Sequence, residues 1–446
     1  MISEHSEPRA FLSFTSAAGG NRFWQIAIPL FFLTSFFLVS RVLDLTRFLD
    51  PRDKYFRVIA VLLLALAICL VAGRRALVFW KSAAGRVLPF FAAWVTLTYF
   101  MTQHSEASFL YWQNTVQGSL LFLAAAGLLT TLADFRKFFA TLACAGLTAC
   151  ALGIVWGTVR NGRFALRAGP YSDPNYYAMF LLALAPVIWV LFARKPLWIR
   201  LCGMAATALP LLLAVRTISR GGFVGMLAML LVVFFLSSIK MRILIASLSV
   251  VTLVVLLAFL PAALRSRLAA AARITSSDAN QQPGEEGHIV ADNSTVARQT
   301  LLGTGIALTL ENPLFGVGPG NFGSTVVEFG KTQGLDWAPL NTHNSYTQIS
   351  SETGIPGVIL FLLLIFFSVK NVVSVLRQTS FRGANPDPEL HLWAAALLVS
   401  FAALFTCMFF LSEGYNLMLY FWLGIASGLK LLLPEPPREE EEFVEI

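Results

Sequence analysis

From residue 23 to residue 433 the chain is a succession of apolar runs, each long enough to cross a lipid bilayer or nearly so. A hydrocarbon core of about 30 Å is spanned by roughly 20 apolar residues in a helix. Such runs lie at 23–40, 57–73, 88–103, 109–132, 138–156, 174–193, 197–215, 221–238, 243–260, 354–370, 391–411 and 415–433. Within lipid a lone run must satisfy its own backbone groups, and a helix does so. The pattern therefore predicts an all-α integral membrane protein with about 12 transmembrane helices. Composition agrees: 13% of the residues are charged, where a soluble domain carries about a quarter. No cleavage site follows the first run, so it reads as a span and not as a signal peptide.

Lys and Arg in short loops set the orientation. With the N-terminus in the cytoplasm, five hairpins face inward. They carry Arg74, Arg75, Lys81 and Arg86; Arg136 and Lys137; Arg194, Lys195 and Arg200; Lys240 and Arg242; and Lys370, Arg377 and Arg382. The outer turns 104–108 and 412–414 have no basic residue. Both termini come out cytoplasmic. The resulting division is an N-terminal segment 1–22, nine spans over 23–260, a large outer loop 261–353, three spans over 354–433 and an acidic tail 434–446. The formal charge of +8 is spread among the apolar runs, so it reads as a topology signal and not as a nucleic-acid-binding face. Cys69, Cys144, Cys150, Cys202 and Cys407 all sit in apolar runs without C-x-x-C spacing, so neither disulfides nor zinc are expected.

Some basic residues break the orientation rule. Loop 41–56 holds Arg41, Arg47, Arg52 and Lys54, and segment 157–173 holds Arg160, Arg163 and Arg167. A misplaced span and retention for chemistry both account for these. Arg216 and Arg220 also fall on the outer side, between two strongly apolar runs, and there chemistry is the better reading.

Several constellations stand out. In RTISRGG (216–222) the two arginines are four residues apart, on one face if the segment is helical. Guanidinium forks match phosphate oxygens. The outer loop contains a basic helix-like stretch at 261–275, then a polar Gly- and Pro-bearing stretch. A second helix follows in STVARQTLLGTGIALTLENP, capped by Ser294, carrying Arg298 and stopped at Pro313. GVGPGNF (316–322) has neither dinucleotide-binding nor Walker spacing and reads as a tight turn. A short amphipathic piece, TVVEFGKT, leads on to NTHNSYTQISSETGIPG (341–357), which crowds amides and hydroxyls around His343 just before an apolar run. Histidine is the commonest general base near neutral pH. Asn344, Tyr346 and Glu352 are candidates to orient that base or to bind sugar hydroxyls. In GPYSDPNYYAMF (169–180), Asp173-Pro174 reads as a helix start, with Tyr171, Asn175 and Tyr176 bordering the same region.

Taken in order, RTISRGG, R-x-x-x-L…ENPLFGVGPGNF and THNSYTQISSETGIPG resemble the O-antigen ligase and O-antigen polymerase superfamily of bacterial envelope enzymes, most strongly over residues 210–370. The resemblance implies transfer of a glycan from an undecaprenyl-diphosphate carrier to an acceptor hydroxyl at the periplasmic face of the inner membrane. No metal or other cofactor is implied. In a ligase the acceptor is a sugar of lipid A-core, in a polymerase a second carrier-linked repeat, and in a protein glycosylase a Ser or Thr. The chemistry of the residues agrees with that reaction: Arg216, Arg220 and Arg298 are the candidates to hold the donor diphosphate, His343 to take the acceptor proton, and Asn344, Tyr346 and Glu352 to orient the base or the sugars. A lipid-linked oligosaccharide flippase is the rival from another class, but the paired halves of a transporter are not visible.

Overall fold

A computed structural model describes residues 20–45, 54–72, 78–160, 162–167, 169–247, 295–332 and 339–434. Five helices come first: α1 (Gly20–Ser40), α2 (Lys54–Ala72), α3 (Ala83–Met101), α4 (Glu106–Leu128) and α5 (Leu132–Trp156). An antiparallel hairpin of β1 (Gly157–Arg160) and β2 (Arg163–Leu166) follows, in register from Gly157 opposite Leu166 to Arg160 opposite Arg163. Then come α6 (Pro174–Phe192), α7 (Leu197–Arg216) and α8 (Arg220–Leu236). The last group is α9 (Thr295–Glu311), α10 (Phe322–Thr332), α11 (Ser345–Thr379), α12 (Pro388–Cys407) and α13 (Leu417–Lys430).

Helices start where a short polar side chain precedes an apolar run. Ser82, Ser105, Thr131 and Asp173 each accept a first-turn backbone N–H of the helix that follows. This satisfies donors that have no partner inside the helix.

Six segments are long and apolar enough to cross a membrane: α3, α5, α6, α7, α11 and Pro388–Phe410, which is α12 with its closing turn. Four shorter apolar helices, Trp24–Ser40, Val61–Val71, Arg220–Leu236 and Leu417–Lys430, accompany them. The count of about 12 spans expected from the apolar runs is therefore not reached among the described residues. α4 is a helix as expected, but Gln113, Asn114 and Gln117 dilute its apolar character. Most of the run at 243–260 lies outside the described residues, as do the basic and polar stretches of the large loop, Ser294 and nearly all of the acidic tail. The hairpin β1–β2 is a small addition to the all-α expectation.

α6 and α13 form the centre. α13 packs on α4 so closely that a Cβ on Gly118 would lie 2.4 Å from the Tyr420 ring, and one on Gly424 would lie 2.6 Å from Phe122 Cα. Small residues at helix crossings allow such approach. Ser400 of α12 donates to the Ala183 carbonyl of α6 at 2.7 Å. Leu201, Met204, Leu212, Phe223, Leu227 and Phe235 of α7 and α8 point outward. An outward apolar face of this kind is what lipid solvates.

The bundle has two distinct ends. At one, Arg136 and Glu389 join the starts of α5 and α12 in a bidentate ion pair of 2.5 and 2.6 Å. At the other lie the turns after α3, α5, α7 and α12 and those before α6 and α11. The constellations singled out in the sequence, as far as the described residues hold them, sit at this second end.

Candidate active site

RTISRGG is a turn and not one helix. α7 ends at Arg216, Thr217 and Ser219 are buried, and α8 begins at Arg220. The two arginines therefore stand on different helices, and the one-face expectation fails at the break. Between them Ile218 has φ 51°. A β-branched residue in the left-handed region is an outlier and costs about 1–2 kcal/mol. Hydrogen bonds on both sides hold it. Ser219 Oγ accepts from Gly222 N at 3.0 Å and donates to Asn175 Oδ1 at 2.9 Å. The same Asn175 oxygen accepts from Arg163 Nη2 at 2.5 Å, while Arg163 Nε donates to the Thr217 carbonyl at 3.3 Å. Burial holds the Arg163 guanidinium below its ordinary range; Asp173 acts against that shift and Arg220 adds to it. The Arg216 guanidinium lies 4.8 Å from the centre of the Phe164 ring, the next residue of the hairpin. Arg216 and Arg220 are both exposed.

The glycines of this motif serve close approach. A Cβ on Gly222 would lie 2.9 Å from Ala178 Cβ, and one on Gly221 would lie 2.9 Å from Phe410 Cβ. Cys407 Sγ also reaches the Gly221 carbonyl at 3.4 Å. The start of α8 is thus pressed onto α6 and onto the turn that closes α12.

The residues on either side of His343 are fastened to that same turn and to the two residues after it. Asn344 caps α11, its Oδ1 accepting from Tyr346 N at 2.9 Å and Thr347 N at 3.1 Å, and its Nδ2 donates to the Phe409 carbonyl at 3.3 Å. Ser345 Oγ donates to the Leu411 carbonyl at 2.7 Å and accepts from Glu413 N at 2.9 Å. Thr342 and Ser412 hydroxyls meet at 2.9 Å. His343, half-buried, has φ 50°. Of the three non-glycine residues with positive φ among those described, two therefore stand in the two motifs. The third, Arg41, is ion-paired with Asp44 at 2.9 Å, which accounts for one basic residue that broke the orientation rule. Strained backbone gathers at functional sites, where surrounding structure holds it in place.

Two supporting residues do other work. The Tyr346 hydroxyl donates to the Phe405 carbonyl at 3.0 Å, and its ring packs 4.5 Å from Phe409. The buried Glu352 carboxylate accepts from Gly320 N at 2.9 Å, with the Tyr415 phenol beside it. Glu352 lies seven residues beyond the first residue of α11, about 10 Å along the axis, so it fastens the glycine loop to α11. Val317 N and Gly318 N donate to the Ser351 and Glu352 carbonyls at 2.8 and 3.0 Å and complete that fastening.

Arg298 stands in the first turn of α9. α9 runs parallel to the start of α11: Gly305 abuts Thr347, and the Thr309 and Ser350 hydroxyls meet at 3.0 Å. Continuing backwards, Arg298 lies about two turns before Gly305, roughly 10 Å along the axis. That puts it towards the His343 end of α11.

The segment LSEGYN (411–416), which reads in the sequence only as a basic-free turn, ties the start of α11 to α6. Asn416 Nδ2 donates to Glu413 Oε2 at 2.5 Å and to the Tyr176 hydroxyl at 3.0 Å, while Glu413 N is held by Ser345. Burial pushes the Glu413 carboxyl up to about 8, with the Asn416 amide opposing and Asp173 adding to the rise. Its signal in the sequence was a carboxylate wedged between two apolar runs. Arg163 was likewise legible only as an exception to the charge rule. Among the described residues no group of three or more His, Cys, Asp or Glu is placed to hold a metal ion.

The arrangement fastens the arginine turn, through Gly221, and the histidine motif, through Asn344, to one turn at one end of an apolar bundle. Cations there can neutralise an anionic group at the lipid boundary, and the imidazole can accept a proton. A family model described as O-antigen ligase matches residues 205–362, from α7 into α11. That match is in keeping with the resemblance to the O-antigen ligase and polymerase superfamily, and with the apolar helices it indicates a multi-pass membrane protein. No curated protein matches the chain.

Proposed function

We propose, proceeding from that superfamily, that this chain is an inverting glycan transferase of the ligase type. It moves a glycan from undecaprenyl diphosphate to a hydroxyl of lipid A-core at the periplasmic face of the inner membrane. The observation that carries the reading is the shared seat: the arginine turn presses Gly221 onto Phe410, and Asn344 binds the Phe409 carbonyl next to it.

In this reading Arg216, Arg220 and Arg298 hold the donor diphosphate. As the bond from the anomeric carbon to the diphosphate oxygen breaks, its electron pair stays on the phosphate and the guanidinium groups neutralise the growing charge. The acceptor oxygen attacks from the opposite face and forms the new glycosidic bond. Its proton passes to the His343 imidazole. Asn344 sets the height of His343 by capping α11. The lipid tail stays in the bilayer against the apolar outer face of the bundle, which explains why a polar site is built where the chain meets lipid.

Reconstitution tests this. Purified protein given an undecaprenyl-diphosphate-linked glycan and lipid A-core should yield, by mass, the joined product and free undecaprenyl diphosphate. If elongated carrier-linked glycan forms instead, the enzyme is a polymerase. If neither forms, the ligase and polymerase readings are both wrong, and the same donor given a Ser- or Thr-bearing protein acceptor tests what is left of the transferase reading.

A further inference from the structure

We propose that Arg163 is a positioning residue of the donor site, a two-point brace that holds the left-handed Ile218 turn and so sets the spacing of Arg216 and Arg220. This rests on the reading of those two arginines as the diphosphate site.

The argument is geometric. Arg163 comes from β2 and reaches the α7–α8 break from outside both helices. Its Nε takes the Thr217 carbonyl at 3.3 Å, on the N-terminal side of Ile218. Its Nη2 takes Asn175 Oδ1 at 2.5 Å, and that oxygen also binds Ser219 Oγ at 2.9 Å, on the C-terminal side. One planar fork therefore ties down both neighbours of the strained residue. The next hairpin residue, Phe164, carries the Arg216 guanidinium on its ring at 4.8 Å. Two adjacent hairpin residues thus control one arginine directly and the turn between both.

The placement also has an electrostatic cost that a merely structural residue would avoid. A half-buried cation stands within electrostatic reach of Arg220, with Asp173 as the opposing charge. A hydrogen-bonding neutral side chain would hold the turn without repelling Arg220. A guanidinium does more: it adds positive potential behind the site and favours an anion in front of it. Lysine cannot replace it, because a single ammonium on a flexible stem does not reproduce the rigid fork.

The test is binding of undecaprenyl diphosphate to the full-length protein in nanodiscs, measured for wild type, Arg163→Ala, Arg163→Lys, Asn175→Ala and Arg216→Ala. A dissociation constant does not depend on the fraction of molecules that fold. Arg163→Ala and Arg163→Lys should each weaken binding about tenfold or more, the size of one lost charge-assisted bond. Asn175→Ala, which keeps the Arg163 charge, should weaken it several-fold. If Arg163→Ala fails to fold, Arg163→Lys and Asn175→Ala still decide the matter. Wild-type affinity in Arg163→Lys and Asn175→Ala, with loss in Arg216→Ala, would overturn the brace and leave the donor reading standing. Unchanged binding in Arg216→Ala would overturn the donor reading itself.

Discussion

At the scale of single residues, the site is built from side chains that are costly where they stand. Ile218 and His343 occupy left-handed backbone, and Glu413 is a half-buried carboxyl between apolar runs. Glu413 gives a pH prediction. Its ordinary value is 4.5 and its folded value about 8, so the folded state keeps a proton that the unfolded chain releases. The stability it contributes is full below about 4.5, falls as pH rises and is lost through about 8. Glu413→Gln should flatten that fall, giving a higher Tm than wild type at pH 8 and a similar one near pH 4.5. Parallel Tm curves for the two proteins would contradict the assignment. The sequence exposed His343 and the arginines because polar motifs are conspicuous in an apolar chain. It did not show that Tyr346 and Glu352 spend their polar atoms on the Phe405 carbonyl and the Gly320 amide, because those partners lie tens of residues away.

At the scale of elements, the break in α11 fixes the height of the site. Gly354 has φ 72° and ψ −174°, a region open essentially only to glycine. A Cβ there would lie 2.2 Å from the Leu314 carbonyl oxygen, and the neighbouring bond from Ile355 N to the Pro313 carbonyl at 2.8 Å pins the loop in place. Gly354→Ala should therefore cost about 1–3 kcal/mol from the backbone alone, with the clash added. The measurement is the thermal unfolding midpoint of the purified variant, and an unchanged midpoint would show that the break is not held as described. Helix positions were well marked in the sequence by caps and apolar runs, Asp173-Pro174 among them. The β1–β2 hairpin, by contrast, is absent from the all-α expectation, although Asn161-Gly162 is a sequence signal for a hairpin. Its strands are four residues long, too short to stand out from the arginines around them.

At the scale of the whole molecule, the two ends of the bundle should face different compartments. The turn after α3 belongs to the site end, since Asn321 Nδ2 donates to the Gln103 carbonyl at 2.8 Å. Arg382, exposed after α11, belongs to the opposite end. In a background without native cysteines, Gln103→Cys should react with a membrane-impermeant maleimide on intact spheroplasts. Arg382→Cys should react only after permeabilisation. The reverse pattern would turn the protein over and remove the periplasmic site. Span number was the least legible property, because α4 differs from a full span by a few polar residues and four other apolar helices differ from one by their length.

The central claim is that two strained turns, brought together on the end of α12, make one site for one reaction. The most direct test is the turnover number of purified Arg216→Ala, His343→Ala and the double variant on one donor and acceptor pair. Each single change should lower turnover about 10²-fold or more. Because both residues act in the same step, the double variant should fall little below the worse single one. Near-normal turnover in His343→Ala, or losses that simply multiply in the double variant, would contradict the account.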